Sequence, residues 1–175
     1  MKYYAIIVAG GSGSRMNSDV PKQFLLLNSK PVLMHTIEAF NRSVLSPEIV
    51  LTLNPQYFSF WQDLCKQHNF TIPHKIVSSG EHRFHSVKNG LDLVENGSIT
   101  AIHDGVRPIV SADLITRTFH LAEQKKAVIP VIMSKDSVRM KTGEKSVVLK
   151  REDILLVQTP QTFQSTLLKS AYLQQ

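Results

Sequence analysis

Residues 5–24 read AIIVAGGSGSRMNSDVPKQF, an apolar run that breaks into a glycine-rich turn and is followed by two separated cations. Glycines let backbone N–H groups approach a ligand closely, and a turn of such donors forms a concave anion site. Arg15 and Lys22 supply the positive charge that the amides lack, and Pro21 stiffens the chain before the lysine. The stretch therefore predicts a polyphosphate site between a first strand and a following helix.

Two common phosphate-binding motifs do not fit this loop. A Walker A loop needs Lys-Ser or Lys-Thr after a suitably spaced glycine, and this stretch has neither. The dinucleotide fingerprint needs a third small residue where this sequence has Met16, which is too large for close helix and strand packing. An ordinary glycine turn would explain the glycines alone. It would not explain the two spaced cations and the Pro21-Lys22 pair.

The composition is that of an ordinary globular protein and predicts one domain, with 175 residues, 42% hydrophobic and 19% charged. A formal net charge of +6 suits an anionic ligand, while the absence of long Lys/Arg blocks argues against a nucleic-acid-binding tail. Because Cys65 is the single cysteine, the chain can form neither an intrachain disulfide nor a cysteine metal cluster. The sequence shows neither a signal peptide nor an apolar run long enough to span a membrane, so we expect a cytoplasmic protein.

Strand-like and helix-like segments alternate along the chain, which predicts an α/β fold with parallel strands and crossover helices. The predicted strands cover residues 4–9, 48–53, 74–78, 99–103 and 126–133. The predicted helices begin at Pro31, after Asn54-Pro55, near Phe84 and after Ser111. The pattern changes after residue 133. Two alternating segments, 137–141 and 145–151, flank a short turn at Gly143 and predict a hairpin. Such a hairpin could project toward a partner subunit or form a surface flap.

A second glycine turn follows the third predicted strand, and Ser86 stands in the first turn of the next helix. Because ligands of open parallel sheets lie over the carboxyl ends of the strands, this turn should lie beside the first one. Its backbone groups and the Ser86 hydroxyl could read a base edge, or Ser86 could be an ordinary helix-start residue. His82 and His85 have the spacing of metal ligands, but no further ligand completes a site.

Asp104 follows the fourth predicted strand at the same ligand-binding edge. A carboxylate here could hold Mg²⁺, which commonly uses one or two carboxylates together with substrate phosphates, or it could bind a polyol hydroxyl. Arg107 could bind substrate or orient Asp104 through an ion pair. Beyond the hairpin, Arg151 and Thr159 add a cation and a hydroxyl near a rigid proline turn.

Five motifs occur in order along the chain: AGGSGSRM at 9–16, PKQF at 21–24, GEHRFHSV at 80–87, HDGVRP at 103–108 and QTPQ at 158–161. Together they closely resemble the family of 2-C-methyl-D-erythritol 4-phosphate cytidylyltransferases, which belong to the methylerythritol phosphate route to isoprenoids. The resemblance implies a Rossmann-like α/β domain whose mainly parallel sheet is flanked by helices and carries a projecting β-hairpin arm at about 137–150. It also implies a homodimer held by that arm, and CTP with Mg²⁺.

The resemblance further assigns roles to individual residues. Arg15 and Lys22 are the implied catalytic residues, which stabilise the transition state. The implied nucleotide-binding residues are Ala9, Gly10, Gly11, Ser12, Gly13, Gly80, Glu81 and Ser86. The implied substrate-binding residues are Asp104, Arg107, Ser137, Arg151 and Thr159, with Asp104 also the implied metal ligand and Arg151 reaching across the dimer.

Two alternatives to this activity stay open on the sequence. Ribitol 5-phosphate cytidylyltransferases share the loops and differ mainly in the polyol. A catalytically impaired nucleotide-binding protein is the other, because family members continue beyond residue 175 through a segment whose lysine also binds the substrate phosphate. We therefore expect residues 1–175 to form one nucleotidyltransferase domain that is incomplete at its C-terminus. Retention of both Arg15 and Lys22 favours an enzyme.

Overall fold

The fold was analysed in a computed structural model, which describes residues 1–11 and 20–174. The strands are β1 (Tyr3–Ala9), β2 (Leu26–Leu27), β3 (Lys30–Pro31), β4 (Glu48–Leu53), β5 (Lys75–Ser78), β6 (Ile99–Asp104), β7 (Ala127–Val128), β8 (Val131–Met133), β9 (Val138–Thr142), β10 (Lys145–Leu149), β11 (Leu155–Val157) and β12 (Gln161–Gln164). The helices are α1 (Val32–Asn41), α2 (Phe58–Gln67), α3 (Arg83–Leu91), α4 (Ala112–Lys125) and α5 (Ser165–Leu173). Short 3-10 turns cover Lys22–Phe24, Pro55–Tyr57 and Arg151–Asp153.

The central sheet has the strand order β5-β4-β1-β6-β12-β7. The first four of these strands are parallel, and β12 is antiparallel to both of its neighbours. After β1 the chain moves outward to β4 and β5 and then returns to the other side of β1 as β6. The carboxyl ends of β1 and β6 therefore meet at a topological switch point, the usual ligand position in an open α/β sheet.

Alternate residues of β1 enter two separate hydrophobic cores. Ile7 and its neighbours on one face pack with α1, α2 and α4, whereas Ile6 and the other face pack with α3 and α5. Both isoleucines are fully buried. Burial of one such side chain contributes roughly 1.5–3 kcal/mol, so helices on both faces hold β1 rigidly in place. The predicted mainly parallel sheet flanked by helices is confirmed.

Local capping follows the sequence closely. The Asn54 side chain accepts a hydrogen bond from the Gln56 amide, and the Ser111 hydroxyl accepts one from Leu114 at the start of α4. Trp61 of α2 is fully buried in the core on the Ile7 face of the sheet. Cys65 lies half-buried beside this core, where burial raises the pKa of its thiol to about 11. The thiol therefore stays protonated at neutral pH, consistent with a packing role.

The prediction of one buried strand over residues 126–133 is wrong. The segment divides at Ile129-Pro130 into β7, at the edge of the central sheet, and β8, which pairs with β11 in a separate two-stranded sheet. Pro130 has no backbone N–H to donate to a ladder, which accounts for the break. All three side chains of β8 are exposed. The predicted hairpin is confirmed as β9 and β10, which pair antiparallel around Gly143.

Candidate active site

A cleft of about 470 Å³ lies over the carboxyl ends of β1 and β6 and beside the turn after β5. Its lining residues are Val8, Ala9, Gly10, Gly11, Lys22, Gln23, Gly80, Glu81, His82, Arg83, Ser86, Asp104 and Val106. Eight predicted site residues are therefore brought together: Ala9, Gly10, Gly11, Lys22, Gly80, Glu81, Ser86 and Asp104. The predicted Ser12, Gly13 and Arg15 lie outside the described residues.

Two glycines of the cleft are required by close packing with neighbouring segments. A Cβ atom on Gly10 would lie 2.3 Å from Ser79 Cβ, so the first turn can approach the second only as glycine. A Cβ atom on Gly80 would lie 2.2 Å from the Cβ of His85. The Gly10 contact brings the turns after β1 and β5 against each other, as the parallel-sheet argument predicts, whereas the Gly80 contact packs the second turn against the first turn of α3.

Ser86 is buried and its hydroxyl holds the second glycine turn in place. It accepts a hydrogen bond from the Gly80 amide at 3.0 Å and lies 3.1 Å from the His82 carbonyl oxygen, to which it can donate. The hydroxyl proton is thereby engaged within the loop, which leaves only acceptor capacity for a ligand. In this arrangement Ser86 shapes the turn.

The Asp104 carboxylate is clamped between two arginines. Arg107 Nε lies 2.9 Å from Oδ2, and Arg83 Nε lies 3.3 Å from Oδ1. Arg107 also donates to the Gln158 side-chain carbonyl at 2.9 Å. The ion pair between Arg107 and Asp104 that the sequence suggested is present. The partners Arg83 and Gln158 were missed, because they lie 21 and 54 residues from Asp104 along the chain and only the fold brings them close.

Two further residues hold the loops of the cleft in place through hydrogen bonds to backbone carbonyl oxygens. Neither was identified from the sequence. Gln23 Nε2 donates to the carbonyl oxygens of Ala9 and Gly11, at 2.9 and 3.1 Å. Thr36 donates from α1 to the Gly105 carbonyl oxygen at 2.9 Å. Both side chains are buried. The signal for Gln23 is its position in the PKQF motif, where a polar residue stands between the predicted catalytic lysine and a core phenylalanine.

A second cavity of about 400 Å³ adjoins the loop that carries Asp104. It is lined by His103, Val106, Arg107, Pro108, Ile109, Val110, Leu114, Gln158 and Thr159, so it holds the predicted substrate residues Arg107 and Thr159. Within the described part of the chain, His103 Nδ1 and Thr159 Oγ1 are buried and make no hydrogen bond. Buried polar atoms normally have a partner, so these two atoms are exceptions, and neither has accessible surface toward the cavity.

His103 anchors the Asp104 loop in its neutral form. Its Nε2 lies 3.0 Å from the Arg107 carbonyl oxygen, a contact that requires a proton on Nε2. The ring packs edge-on against Phe40. Burial lowers the pKa of His103 to about 4, and this outweighs the opposing effects of the Arg107 carbonyl and the Asp104 charge.

Acidification should destabilise the fold through His103. The unfolded chain binds a proton on this histidine below pH 6.5, whereas the folded chain resists protonation until about pH 4, so stability present at neutral pH is lost across that window. At pH 4.5 the free energy of unfolding should be lower by about 2–3 kcal/mol than at neutral pH because of His103. Urea unfolding should therefore show that the stability difference between the wild type and His103→Gln shrinks by this amount between pH 7 and pH 4.5.

The matched control is His120→Gln, because the His120 side chain is 53% exposed on α4. A pH-dependent change that appears in His103→Gln and not in this variant is specific to His103. If the free energy of unfolding of the wild type and of His103→Gln falls in parallel with pH, the pH dependence does not come from His103. His74 contributes in the same direction through burial, which lowers its pKa, and it remains unchanged in both variants.

Two predicted substrate residues are not brought to either cavity. Ser137 precedes β9 and Arg151 follows β10, and neither lines the two cavities described above. Arg151 is exposed and pairs with the adjacent Glu152 at 3.2 Å. Among residues 1–11 and 20–174, no group of three or more His, Cys, Asp or Glu side chains is arranged to hold a metal ion.

Comparison with known proteins decides the family. The model of the 2-C-methyl-D-erythritol 4-phosphate cytidylyltransferase family matches residues 3–175. The chain belongs to this family. The membership confirms the recognition made from the five motifs, and with it the prediction of a nucleotidyltransferase enzyme. Within the described ranges, no helix has the length and apolar character needed to cross a bilayer.

Individual relatives agree with the family assignment. A 2-C-methyl-D-erythritol 4-phosphate cytidylyltransferase of Bacteroides thetaiotaomicron is 50% identical over 172 residues, which cover 98% of this chain and 78% of the relative. Its counterpart from Bacteroides fragilis is 52% identical over 171 residues, with the same coverage of both chains. The crystal structure of the 4-diphosphocytidyl-2C-methyl-D-erythritol synthase from Anaerococcus prevotii superimposes with a TM-score of 0.83 at 28% identity, covering 99% of this chain and 74% of that chain.

Proposed function

We propose that this cytidylyltransferase family member transfers CMP from CTP to 2-C-methyl-D-erythritol 4-phosphate and releases pyrophosphate. The observation that carries the proposal is the convergence of two glycine turns and Lys22 on one cleft at the switch point of the sheet. Backbone amides and a fixed cation at such a position suit the triphosphate of a nucleotide. We also propose that the reaction takes place in the cytoplasm, in line with the expectation from the sequence.

The reaction needs no covalent enzyme intermediate. An oxygen of the substrate 4-phosphate attacks the α-phosphorus of CTP in line, the bond to the pyrophosphate oxygen breaks, and a cytidine diphospho alcohol forms. The protein contributes by positioning the two substrates and stabilising the charge that develops at the α-phosphoryl group. Lys22 lies in the cleft for this purpose, and Arg15 is the second cation of the same motif.

The second glycine turn is our candidate for the cytosine site. Ser86 fixes the turn from Gly80 to His82, so the free backbone groups of this segment hold one geometry. Rigid backbone donors and acceptors at the edge of the cleft can match the polar edge of one pyrimidine. A purine would have to displace a turn that is packed against Gly10.

The described residues fit a divalent cation that arrives with the triphosphate. Mg²⁺ prefers one or two carboxylates together with phosphate oxygens, and Asp104 lines the cleft. Its Oδ2 is taken by the closer arginine, whereas the 3.3 Å contact of Arg83 leaves Oδ1 the weaker-held oxygen and the candidate ligand. When bound, the cation would neutralise charge on the phosphates.

We assign the polyol phosphate to the region between Asp104 and the second cavity. The ion pair with Asp104 and the hydrogen bond to Gln158 fix the Arg107 guanidinium, and Thr159 lines the same cavity. Apolar lining side chains such as Val110 and Leu114 offer a surface for a methyl branch, which ribitol 5-phosphate lacks.

The exposed apolar strands support a homodimer through the hairpin arm. Each of the six residues of β8 and β11 is between 43% and 55% exposed, on both faces of their two-stranded sheet. The hairpin adds Met140, Val147 and Val148, which are more than half exposed. Isolated two-stranded sheets are marginally stable, and contiguous apolar patches mark interfaces. A second copy of the chain is the partner that we propose for this surface, with Ser137 and Arg151 carried toward the partner's cleft.

The nucleotide assignment predicts that the chain binds CTP with Mg²⁺ more tightly than ATP, GTP or UTP. Calorimetric titration of each nucleotide, with and without Mg²⁺, measures this preference directly. The affinity for CTP should fall when Mg²⁺ is omitted, because the cation screens the triphosphate. Equal affinities for ATP and CTP would rule out the proposed cytidylyltransferase activity. Turnover of ribitol 5-phosphate and 2-C-methyl-D-erythritol 4-phosphate, assayed side by side, identifies the polyol.

A further inference from the structure

We infer that Gln23 is a positioning residue that fixes the backbone of the first glycine turn, at Ala9 to Gly11, before the triphosphate of the nucleotide binds. This inference rests on the proposed function, because it concerns the same cleft. Gln23 is only 2% exposed, although it lies beside the cleft and next to Lys22. A buried amide side chain needs strong partners, and both hydrogens of its NH₂ group find them in one short stretch of backbone.

The two hydrogen bonds hold the carbonyl oxygens of Ala9 and Gly11, at 2.9 and 3.1 Å from Nε2. In a trans peptide the carbonyl oxygen and the following N–H point in opposite directions. Fixing the Ala9 oxygen on Gln23 therefore directs the Gly10 N–H away from Gln23. The side chain thus selects one orientation of the peptide between Ala9 and Gly10, where glycine would otherwise permit many.

Gln23 can hold the turn because its own position is fixed by the core. The next residue, Phe24, is buried among aromatic rings, with centroids 5.1 Å from Phe60 and 5.5 Å from Tyr57. The Phe24 amide donates to the Pro21 carbonyl at 2.9 Å, which closes a short turn around Lys22. One rigid segment therefore carries the candidate catalytic lysine and the clamp on the glycine turn, so the two parts of the phosphate site keep a constant spacing.

A preorganised turn lowers the free-energy cost of ordering backbone donors around an anion. This lower cost increases the affinity for the polyphosphate part of the ligand and does not affect the affinity for the base. Loss of the Gln23 hydrogen bonds should therefore lower the affinities for CTP and for inorganic triphosphate by the same factor. The affinity for cytidine, which carries no phosphate, should stay unchanged.

Gln23→Met tests the inference, because methionine has similar length but no hydrogen-bond donor. We expect the affinity for CTP and for inorganic triphosphate, measured by calorimetry, to fall by roughly tenfold, the magnitude associated with one or two lost hydrogen bonds. Cytidine affinity should change by less than about twofold. Gln23→Asn, whose shorter side chain cannot reach both carbonyl oxygens, provides a second variant if the methionine variant does not fold.

Ser165→Ala is the matched control. The Ser165 hydroxyl is also fully buried and makes two hydrogen bonds to backbone groups, accepting from the Ser98 amide and donating to the Glu95 carbonyl oxygen. It lies at the amino end of β6, opposite the cleft. The control should lower the melting temperature in the way that Gln23→Met does, and leave the affinities for CTP and triphosphate unchanged.

Three results would overturn the inference. Unchanged triphosphate affinity in Gln23→Met would show that the turn does not need the Gln23 hydrogen bonds. An equal fall in the affinities for cytidine and triphosphate would show a general loss of structure. A wild-type chain that binds neither triphosphate nor CTP would have no site to preorganise. Equal wild-type binding of CTP and ATP, with the triphosphate-specific loss still present in Gln23→Met, would overturn the proposed function and leave the role of Gln23 intact.

Discussion

Lys22→Ala is expected to lower kcat by on the order of 10²–10³, the usual loss for a preorganised electrostatic contact to a transition state. Lys22 lines the cleft, and its buried neighbours Gln23 and Phe24 hold its backbone. A cation held in place before the reaction needs no reorganisation when charge develops at the α-phosphoryl group, so KM should change less than kcat. Arg15→Ala should show the same pattern. Steady-state kinetics with both substrates measures the two constants.

Lys66→Ala serves as the control, because Lys66 is a 78% exposed lysine on α2 with one weak ion pair. Its kinetic constants should match those of the wild type. A rise in KM with unchanged kcat for Lys22→Ala would show that Lys22 contributes ground-state binding alone.

Activity should return when two inactive variants exchange subunits. Arg151 follows the hairpin and lines neither cavity of its own chain, which is why we propose that it acts in the partner's cleft. Lys22→Ala and Arg151→Ala homodimers should each be nearly inactive, since every site lacks one group. In a mixed dimer, one site combines Lys22 of one chain with Arg151 of the other, and the second site lacks both.

Random pairing makes about half of the dimers mixed, and half of the sites in those dimers are intact. Recovery should therefore approach roughly a quarter of wild-type activity when the sites act independently. Mass spectrometry of the exchanged sample verifies that heterodimers form. Activity that stays at the level of the single variants, despite verified exchange, would exclude a contribution of Arg151 across the interface.

The parts of the fold that depend on local sequence could be predicted. The strands around Ile6, Val50 and Ile102 are predominantly apolar, and caps such as Ser111 act within a few residues. The cleft itself followed from the rule that parallel strands place their ligand at one edge. Strand β12 was missed because its four residues, QTFQ, show no apolar run, and its place is set by pairing with β6 and β7.

The contacts that hold the candidate site together could not be predicted in the same way. Gln23 and Thr36 donate to carbonyl oxygens of loops that are 12 to 69 residues away along the chain. Periodicity reports which face of a helix is buried, but it does not report which backbone oxygen a buried polar side chain meets. The sequence motifs located the turns, and the long-range packing determines how each turn is braced.

The attachment of the arm to the central sheet has a consequence for how these enzymes diverge. Strands β7 and β12 are adjacent and antiparallel, with Val128 opposite Thr162, so the chain leaves and re-enters the sheet at neighbouring points. Residues 129–160 form an excursion between two fixed anchors. Such a module can lengthen, shorten or change its sequence while the strands that carry the glycine turns keep their positions. The same module ends with Gln158, which accepts a hydrogen bond from Arg107, and Thr159, which lines the second cavity, so we expect changes in the module to alter the proposed polyol site and to leave the glycine turns in place.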